Sequence, residues 1–228
     1  MSLYFLLLLL SVAVPFLLSF DKRLRFYKKW KFVLPAIFIV AAVYIAFDIY
    51  FTKLGVWGFN PCYLSGISLF HLPLEEWLFF IIIAYASLFL HFSIVEYFPQ
   101  AKVGEKWTRI ITILLFILSV SLVFIYHDKM YTAYISLTTA VALALAYFDK
   151  SQTIASFYIT FLVILIPFLI VNGILTGSFI ESEVVWYNNE ETLGIRFFTI
   201  PIEDFGYGFS MILFNLLLIS SFKTQFNK

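Results

Sequence analysis

The sequence predicts an all-α fold: a polytopic membrane bundle of seven transmembrane helices, made of two parallel three-helix repeats and one linking helix. Three observations support this prediction. The 228 residues are 62% hydrophobic and 13% charged, with a mean hydropathy of +0.96, far from the values of soluble domains. Seven apolar segments approach the roughly 20 residues that a membrane-spanning helix needs. A set of polar motifs also occurs twice, in the same order.

The predicted spans are separated by short loops, apart from two longer ones at 52–75 and 173–201. The first span has no basic residue before it and no small-residue cleavage site after it, so we expect a retained helix and not a signal peptide. In chain order, the seven spans are 3–20, 32–51, 76–95, 109–126, 130–148, 153–172 and 202–222.

The distribution of basic residues predicts the orientation. With seven spans, twelve of the fifteen Lys and Arg residues fall on one side, and only Lys53, Lys129 and Arg196 fall on the other. By the positive-inside rule, the N-terminus is outside and the C-terminus is in the cytoplasm of a multi-pass protein of the cell membrane. The twelve are Lys22, Arg23, Arg25, Lys28, Lys29, Lys31, Lys102, Lys106, Arg109, Lys150, Lys223 and Lys228.

An internal repeat divides the chain. Residues 1–96 form the first predicted three-helix repeat, 97–129 a linker with the fourth helix, and 130–228 the second repeat. Three helices reverse the chain direction, so the unmatched fourth helix restores it and makes the repeats parallel, an architecture that places a site between two halves. At offsets of 124 to 129, Asp48, Thr52, Trp57, Asn60, Pro73, Glu75 and Glu76 recur as Asn172, Thr176, Trp186, Asn189, Pro201, Glu203 and Asp204.

Each repeat places two adjacent acids at a helix start: Glu75 and Glu76 in the first, Glu203 and Asp204 in the second. Acids after a proline favour a helix N-terminus, which is a sufficient explanation for one copy. Two copies, each after a loop with the same polar positions, favour a functional role, because ionisable groups at the membrane margin are costly. Adjacent helical residues point about 100° apart, so we expect one acid of each pair to face a cavity and its neighbour to bond loop amides.

The composition suits acid-initiated chemistry. A carboxyl group in an apolar pocket can stay protonated at neutral pH and act as an acid. Protonation of an alkene leaves a carbocation, which the faces of aromatic rings stabilise. The chain is 21% aromatic, so motif and composition together indicate this reaction class.

The motifs resemble those of the membrane-integral lycopene cyclases of the carotenoid pathway, which occur as paired small subunits in some bacteria and as one fused chain in others. The resemblance rests on DIYFTKLGVWGFNP and LPLEEWLFF in the first half and on VNGILTG and VWYNNEETLGIRFFTIPIEDFGY in the second. In fungi a similar domain is fused to phytoene synthase, but this chain contains no DDxxD motif. With the seven-span layout, the resemblance covers nearly the whole chain.

The resemblance implies a lycopene β-cyclase. This enzyme is an isomerase that uses neither cofactor nor metal and causes no net redox change. Each end of linear lycopene is protonated, closes a six-membered ring and loses a ring proton, giving γ-carotene and then β-carotene. The implied partners are lycopene and the lipid bilayer, and contact with other carotenoid enzymes is consistent with the pathway. A net charge of +1 gives no indication of nucleic-acid binding.

Carried over by motif, Glu75 and Glu203 are the first candidates for acid or base, Glu76 and Asp204 the second, and Asp48 a further catalytic residue. Because Asp48 is matched by Asn172, we predict one site between the halves, used once per substrate end. The residues expected to position groups or stabilise the cation are Asn60, Asn172, Asn189, Thr52, Thr176, Trp57, Trp186 and Arg196.

Several alternatives stay open at this level. The two threonines can instead bond their own helix backbone, and the two tryptophans can belong to an interfacial belt. Arg196 either pairs with Glu203 or Asp204 or contacts lipid phosphate. The same cation can give an ε-ring or a hydrated carotenoid, and a parallel repeat with intramembrane acids also fits a small proton-coupled transporter.

Overall fold

The computed structural model describes residues 2–149 and 151–226, and seven α-helices make up most of it. Two of the basic residues counted for the orientation, Lys150 and Lys228, lie outside the described residues. The helices are α1 (Leu3–Leu18), α2 (Trp30–Leu54), α3 (Leu74–Tyr97), α4 (Glu105–Ile125), α5 (Met130–Phe148), α6 (Thr153–Leu175) and α7 (Glu203–Phe226).

Six of these helices, α2 to α7, are long and apolar enough to cross a membrane. The chain is therefore a multi-pass membrane protein. The first helix is shorter than predicted, with 16 residues, because the chain turns after Ser19. Asp21 stabilises this turn by accepting hydrogen bonds from the amides of Leu24 (2.8 Å) and Arg23 (2.9 Å). The bond from Leu24 contributes most to lowering the pKa of the Asp21 carboxyl group.

The helix contacts occur in corresponding pairs. Helix α1 packs against α3, and α5 packs against α7. Helix α2 likewise packs against α7, and α3 against α6. The largest apolar core includes the fully buried Leu88, Phe157 and Leu213 of α3, α6 and α7. Helix α4 packs mainly on α5, and its buried side chains are Thr108, Thr112 and Ser119. Helices α3 and α7, whose first turns contain the paired acids, each pack against four other helices and so lie at the centre of the bundle.

Short strands, absent from the predicted all-α fold, organise the two long loops. They form three two-stranded antiparallel ladders. Strands β1 and β4 join one loop to the other, with Gly58 opposite Trp186. The pairs are β1 (Trp57–Phe59) with β4 (Val185–Tyr187), β2 (Ser68–Leu69) with β3 (Leu72–Pro73), and β5 (Arg196–Phe197) with β6 (Ile200–Pro201).

Gly58 is the point of closest approach between the two loops. A Cβ atom there would lie 2.3 Å from Cζ2 of Trp186. We expect Gly58→Ala to displace the indole, which is 40% exposed, and to lower the free energy of unfolding by about 1–3 kcal/mol. Thermal unfolding in detergent measures the change. In a Trp186→Ala background the same substitution should cost little. An equal cost in both backgrounds would mean that Trp186 is not the obstacle.

Candidate active site

A cavity of about 550 Å³ lies between the helices, with walls from α1, α2, α3, α5, α6 and α7 and from strands β1 and β4. Most of its wall is apolar or aromatic. Three buried carboxyl-bearing residues line it: Asp48 on α2, Glu76 on α3 and Asp204 on α7. The amide-bearing Asn172 on α6 also lines it. Apolar pockets with a few convergent polar groups are typical binding sites.

The other acid of each pair, Glu75 or Glu203, does not line the cavity. Both side chains accept hydrogen bonds from the preceding loop and from the N-terminal end of another helix, α1 for Glu75 and α5 for Glu203, so they fix the loop at the helix start. For Glu75 the donors are the Ser65 amide (2.6 Å) and the Ser2 hydroxyl (2.7 Å); for Glu203 they are the Leu193 amide (2.6 Å) and the Thr132 hydroxyl (2.7 Å).

The two acids of a pair thus have different surroundings, as the 100° step between helical neighbours requires. The sequence ranked Glu75 and Glu203 first, whereas the cavity contains Glu76 and Asp204. Charge spacing along a chain does not report the rotation of a helix about its axis. The structure therefore changes which acid of each pair can meet a ligand.

In the first half, Glu76 and Asp48 have few partners. The Tyr4 hydroxyl donates to Oε2 of Glu76 at 2.6 Å. The Trp57 indole N–H donates to Oδ1 of Asp48 at 2.6 Å, and Thr52 adds a longer contact of 3.4 Å. Within residues 2–149 and 151–226, Oδ2 of Asp48 is buried without a hydrogen-bond partner. An unpartnered buried oxygen is costly. Glu75 and Glu203 each have one as well, but only Asp48 lines the cavity and can offer this oxygen to a ligand.

In the second half, Asp204 has three donors. The Tyr131 hydroxyl donates to Oδ1 at 2.5 Å, and Oδ2 accepts from Asn172 Nδ2 at 2.7 Å and from the Tyr187 hydroxyl at 3.1 Å. Burial, followed by the charge of Asp204, raises the pKa of Tyr187 well above its ordinary value. Tyr187 therefore keeps its proton and remains a donor. Three such donors favour the ionised form of a carboxyl group.

Among the residues that the structure describes, these acids have no cationic partner. In the described part of the chain, the one ion pair is Arg109 with Glu105, on the exposed surface of α4. Arg196 donates instead to the Thr199 carbonyl (2.7 Å) and to Oδ1 of Asn189 (3.2 Å). The alternative in which Arg196 pairs with Glu203 or Asp204 is therefore wrong. Three acids without a cation oppose one another when they are charged, because an apolar cavity screens their charges poorly.

The remaining predicted residues divide between the cavity and the loops. Trp57 lines the cavity, but Trp186 lies over Gly58 outside it. Thr176 bonds its own helix at the Asn172 carbonyl (2.8 Å), as the alternative reading of the threonines allowed. Asn189, which accepts from Arg196, does not line the cavity either.

Asn60 has a structural role in its loop. Its side chain accepts from the Cys62 amide (3.1 Å), while its own amide donates to the Val184 carbonyl (2.9 Å). Asn188 has the same two kinds of bond, to Glu190 and Val56. In its bonds Asn60 therefore resembles Asn188 and not Asn189, the residue that the sequence matched with it. The offset of 128 between Pro73 and Pro201 was the signal that could have identified this pair.

Sequence reasoning missed the tyrosines that hold the acids. Tyr4 on α1 and Tyr131 on α5 each donate to the cavity acid of their own half. Tyr187 and Tyr207 also line the cavity. The only available signal was that Tyr4 and Tyr131 stand near the starts of the first and fifth predicted spans. In a chain with fourteen tyrosines, that position alone is not distinctive.

The fold and this cavity define a class: multi-pass membrane proteins with a carboxyl-lined apolar pocket inside the helix bundle. Within that class, the chain belongs to the lycopene cyclase family, whose sequence profile matches residues 1–98 and 128–222. No curated protein and no solved structure matches the sequence significantly. Membership of this family, with the carboxyl-lined cavity, is typical of a cyclase or isomerase enzyme.

Proposed function

We propose that the protein is a lycopene β-cyclase, which closes the ends of linear lycopene into β-ionone rings by proton transfer alone. The observation that carries this proposal is a cavity with three carboxyl groups, an otherwise mainly apolar and aromatic wall and no cation among its described lining residues. Such a wall accepts a hydrocarbon, and its polar groups offer only proton donors and acceptors. The reaction needs no other group: one proton enters the substrate and one leaves it.

Asp204 is the proposed base. Its carboxylate accepts bonds from Tyr131, Asn172 and Tyr187, an arrangement that stabilises the charged form. A carboxylate held by these three side chains is also held in a fixed orientation. It would remove the ring proton after closure.

Glu76 and Asp48 form the proposed acid. Both line the same apolar cavity, where two like charges oppose one another. Oδ2 of Asp48, which lacks a partner among the described residues, is a place where a proton can reside. The corresponding residue of the other half is Asn172, whose amide can only support an anion. We therefore infer that the difference between Asp48 and Asn172 separates the acid side from the base side of one site.

Aromatic rings of the cavity would stabilise the carbocation. Tyr131 and Tyr187 stack with ring centroids 5.6 Å apart beside Asp204, and Trp57 meets Tyr131 edge to face at 5.1 Å. All three line the cavity. Their π faces can stabilise a positive charge by about 0.5–2 kcal/mol each.

We also propose that the chain is a parallel repeat with its N-terminus outside and its C-terminus in the cytoplasm. The paired helix contacts, the equivalent bonds of Asn60 and Asn188, and the two separate stretches matched by the family profile support the repeat. The repeat would place Glu76 and Asp204 on opposite sides of one cavity. The orientation rests on the basic residues and puts this site near the outer face.

Expression in a lycopene-accumulating host tests the function. We expect the red pigment to be replaced by β-carotene, and washed membranes without flavin or NADPH to convert lycopene. In heavy water, each ring should contain one deuterium. An ε-ring or a hydroxylated product would mean that the site forms the same cation but converts it into a different carotenoid. Unchanged lycopene, despite inserted protein, would reject the proposal in favour of a non-enzymatic role such as transport.

A further inference from the structure

The cavity reaches the lipid-facing surface between α1 and α6. Among its described lining residues, those that are exposed all belong to these two helices: Leu10, Val14, Pro167 and Ile170. Leu10, Val14 and Ile170 are 64%, 59% and 60% exposed. A residue that both lines a cavity and faces outward marks the mouth of that cavity. The mouth therefore lies between α1 and α6.

The helices on both sides of this mouth are strongly apolar. Neither α1 (LYFLLLLLSVAVPFLL) nor α6 (TIASFYITFLVILIPFLIVNGIL) contains a charged residue. Each helix also has a proline that lines the cavity, Pro15 and Pro167. Proline removes one helical hydrogen bond and weakens the helix locally. Both helices beside the mouth thus have a point at which they can bend.

The corresponding gap on the other side of the bundle, between α2 and α5, is filled. Tyr134 of α5 lies with its ring centroid 4.7 Å from that of Phe47 and 4.9 Å from that of Phe51, both on α2. None of these three rings lines the cavity. Helix α2 contributes only Asp48 to the described wall, and α5 only Tyr131. The two halves thus differ: one gap is open and its counterpart is plugged by aromatic rings.

We propose that one end of the apolar polyene enters from the bilayer through the mouth between α1 and α6, while the rest of the molecule stays among the lipids. The inference rests on the proposed function for the identity of the substrate. The route into the cavity is asymmetric: the α1–α6 side admits substrate, and the α2–α5 side does not. Cavity lining, exposure and the Phe47–Phe51–Tyr134 plug are the observations that support it.

Photo-cross-linking in lycopene-containing membranes tests the route. p-Benzoylphenylalanine at Val14 or Ile170 should form an adduct with lycopene on irradiation. The same group at Leu137, which is 53% exposed on α5, is the matched control for lipid-dissolved pigment, and Phe47 is the control for the plugged gap. We expect no lycopene adduct at either control position. Adducts at Leu137 or Phe47 equal to those at Val14 would overturn the route.

Kinetics give a second test. Val14→Trp and Ile170→Trp should raise KM several-fold with little change in kcat, because the indole takes space that the bound polyene needs in the mouth and does not touch the reacting end. Leu137→Trp should leave both constants unchanged. Unaltered KM in both mouth variants would overturn the route. These outcomes are distinct from failure of the proposed function, in which the unmodified protein itself forms no cyclised pigment.

Discussion

Replacement of Glu76 by glutamine is expected to lower the rate of lycopene cyclisation by about 10²–10⁴-fold, the usual contribution of a general acid or base. The amide keeps the size of the side chain and can still accept the bond from Tyr4. It cannot hold the proton that the terminal double bond must receive. Chromatography of pigments from membranes with equal amounts of inserted protein measures the change.

Glu75→Gln is the matched control, because it removes one carboxylate from the neighbouring position outside the cavity. Its Oε1 accepts from Ser65 and Ser2, and a glutamine amide oxygen can still accept these bonds. We expect this variant to cyclise lycopene, with some loss of thermal stability. The reverse result, with Glu75→Gln inactive and Glu76→Gln normal, would return the acid role to Glu75.

Asp204→Asn should also lower the rate of lycopene cyclisation by about 10²–10⁴-fold, but for a different reason. In this variant the cation forms, but no base removes the ring proton. Heavy water distinguishes the two roles. Lycopene recovered from the Asp204→Asn variant should contain deuterium, because the cation can return to lycopene by losing the original hydrogen in place of the added deuterium. Lycopene recovered from the Glu76→Gln variant should not.

The matched control for Asp204 is Glu203→Gln, which changes the acid that bonds the Leu193 amide outside the cavity. This variant should retain cyclisation. Deuterated lycopene from Glu76→Gln together with unlabelled lycopene from Asp204→Asn would mean that Asp204 is the acid and Glu76 the base. Full activity of Asp204→Asn would remove this residue from the chemistry.

Hydropathy was sufficient to locate the helices, because each must provide about 20 apolar residues to the membrane. Helix α5 has the predicted bounds, 130–148, and α2, α3, α4, α6 and α7 begin or end within four residues of the predictions. Helix α1 begins at the predicted residue 3 and ends two residues early, at residue 18, where local polar bonds at Ser19 and Asp21 turn the chain. Local side-chain bonds of this kind compete with a helix without changing the hydropathy that predicts it.

The side of each helix that meets the cavity could not be predicted with the same success. Glu75 and Glu76 look alike in the sequence, and only the packing of α3 against α1 and α6 determines which one turns inward. The same limit applies to Trp57 and Trp186, of which only the first lines the cavity. The tyrosines were missed because their function depends on which acid they meet across the bundle. Long-range contacts of this kind leave no periodic pattern in the chain.

The plugged α2–α5 gap has a consequence for the order of the reaction on the proposed function. A chamber entered from one flank can hold only one terminus of a symmetrical molecule. A carotenoid with one ring must then back out, turn round in the membrane and compete with fresh lycopene before its second ring is made. Conversion would be distributive, so that a low enzyme concentration would leave the one-ring carotenoid in the membrane. The ratio of one-ring to two-ring product would therefore depend on the amount of enzyme.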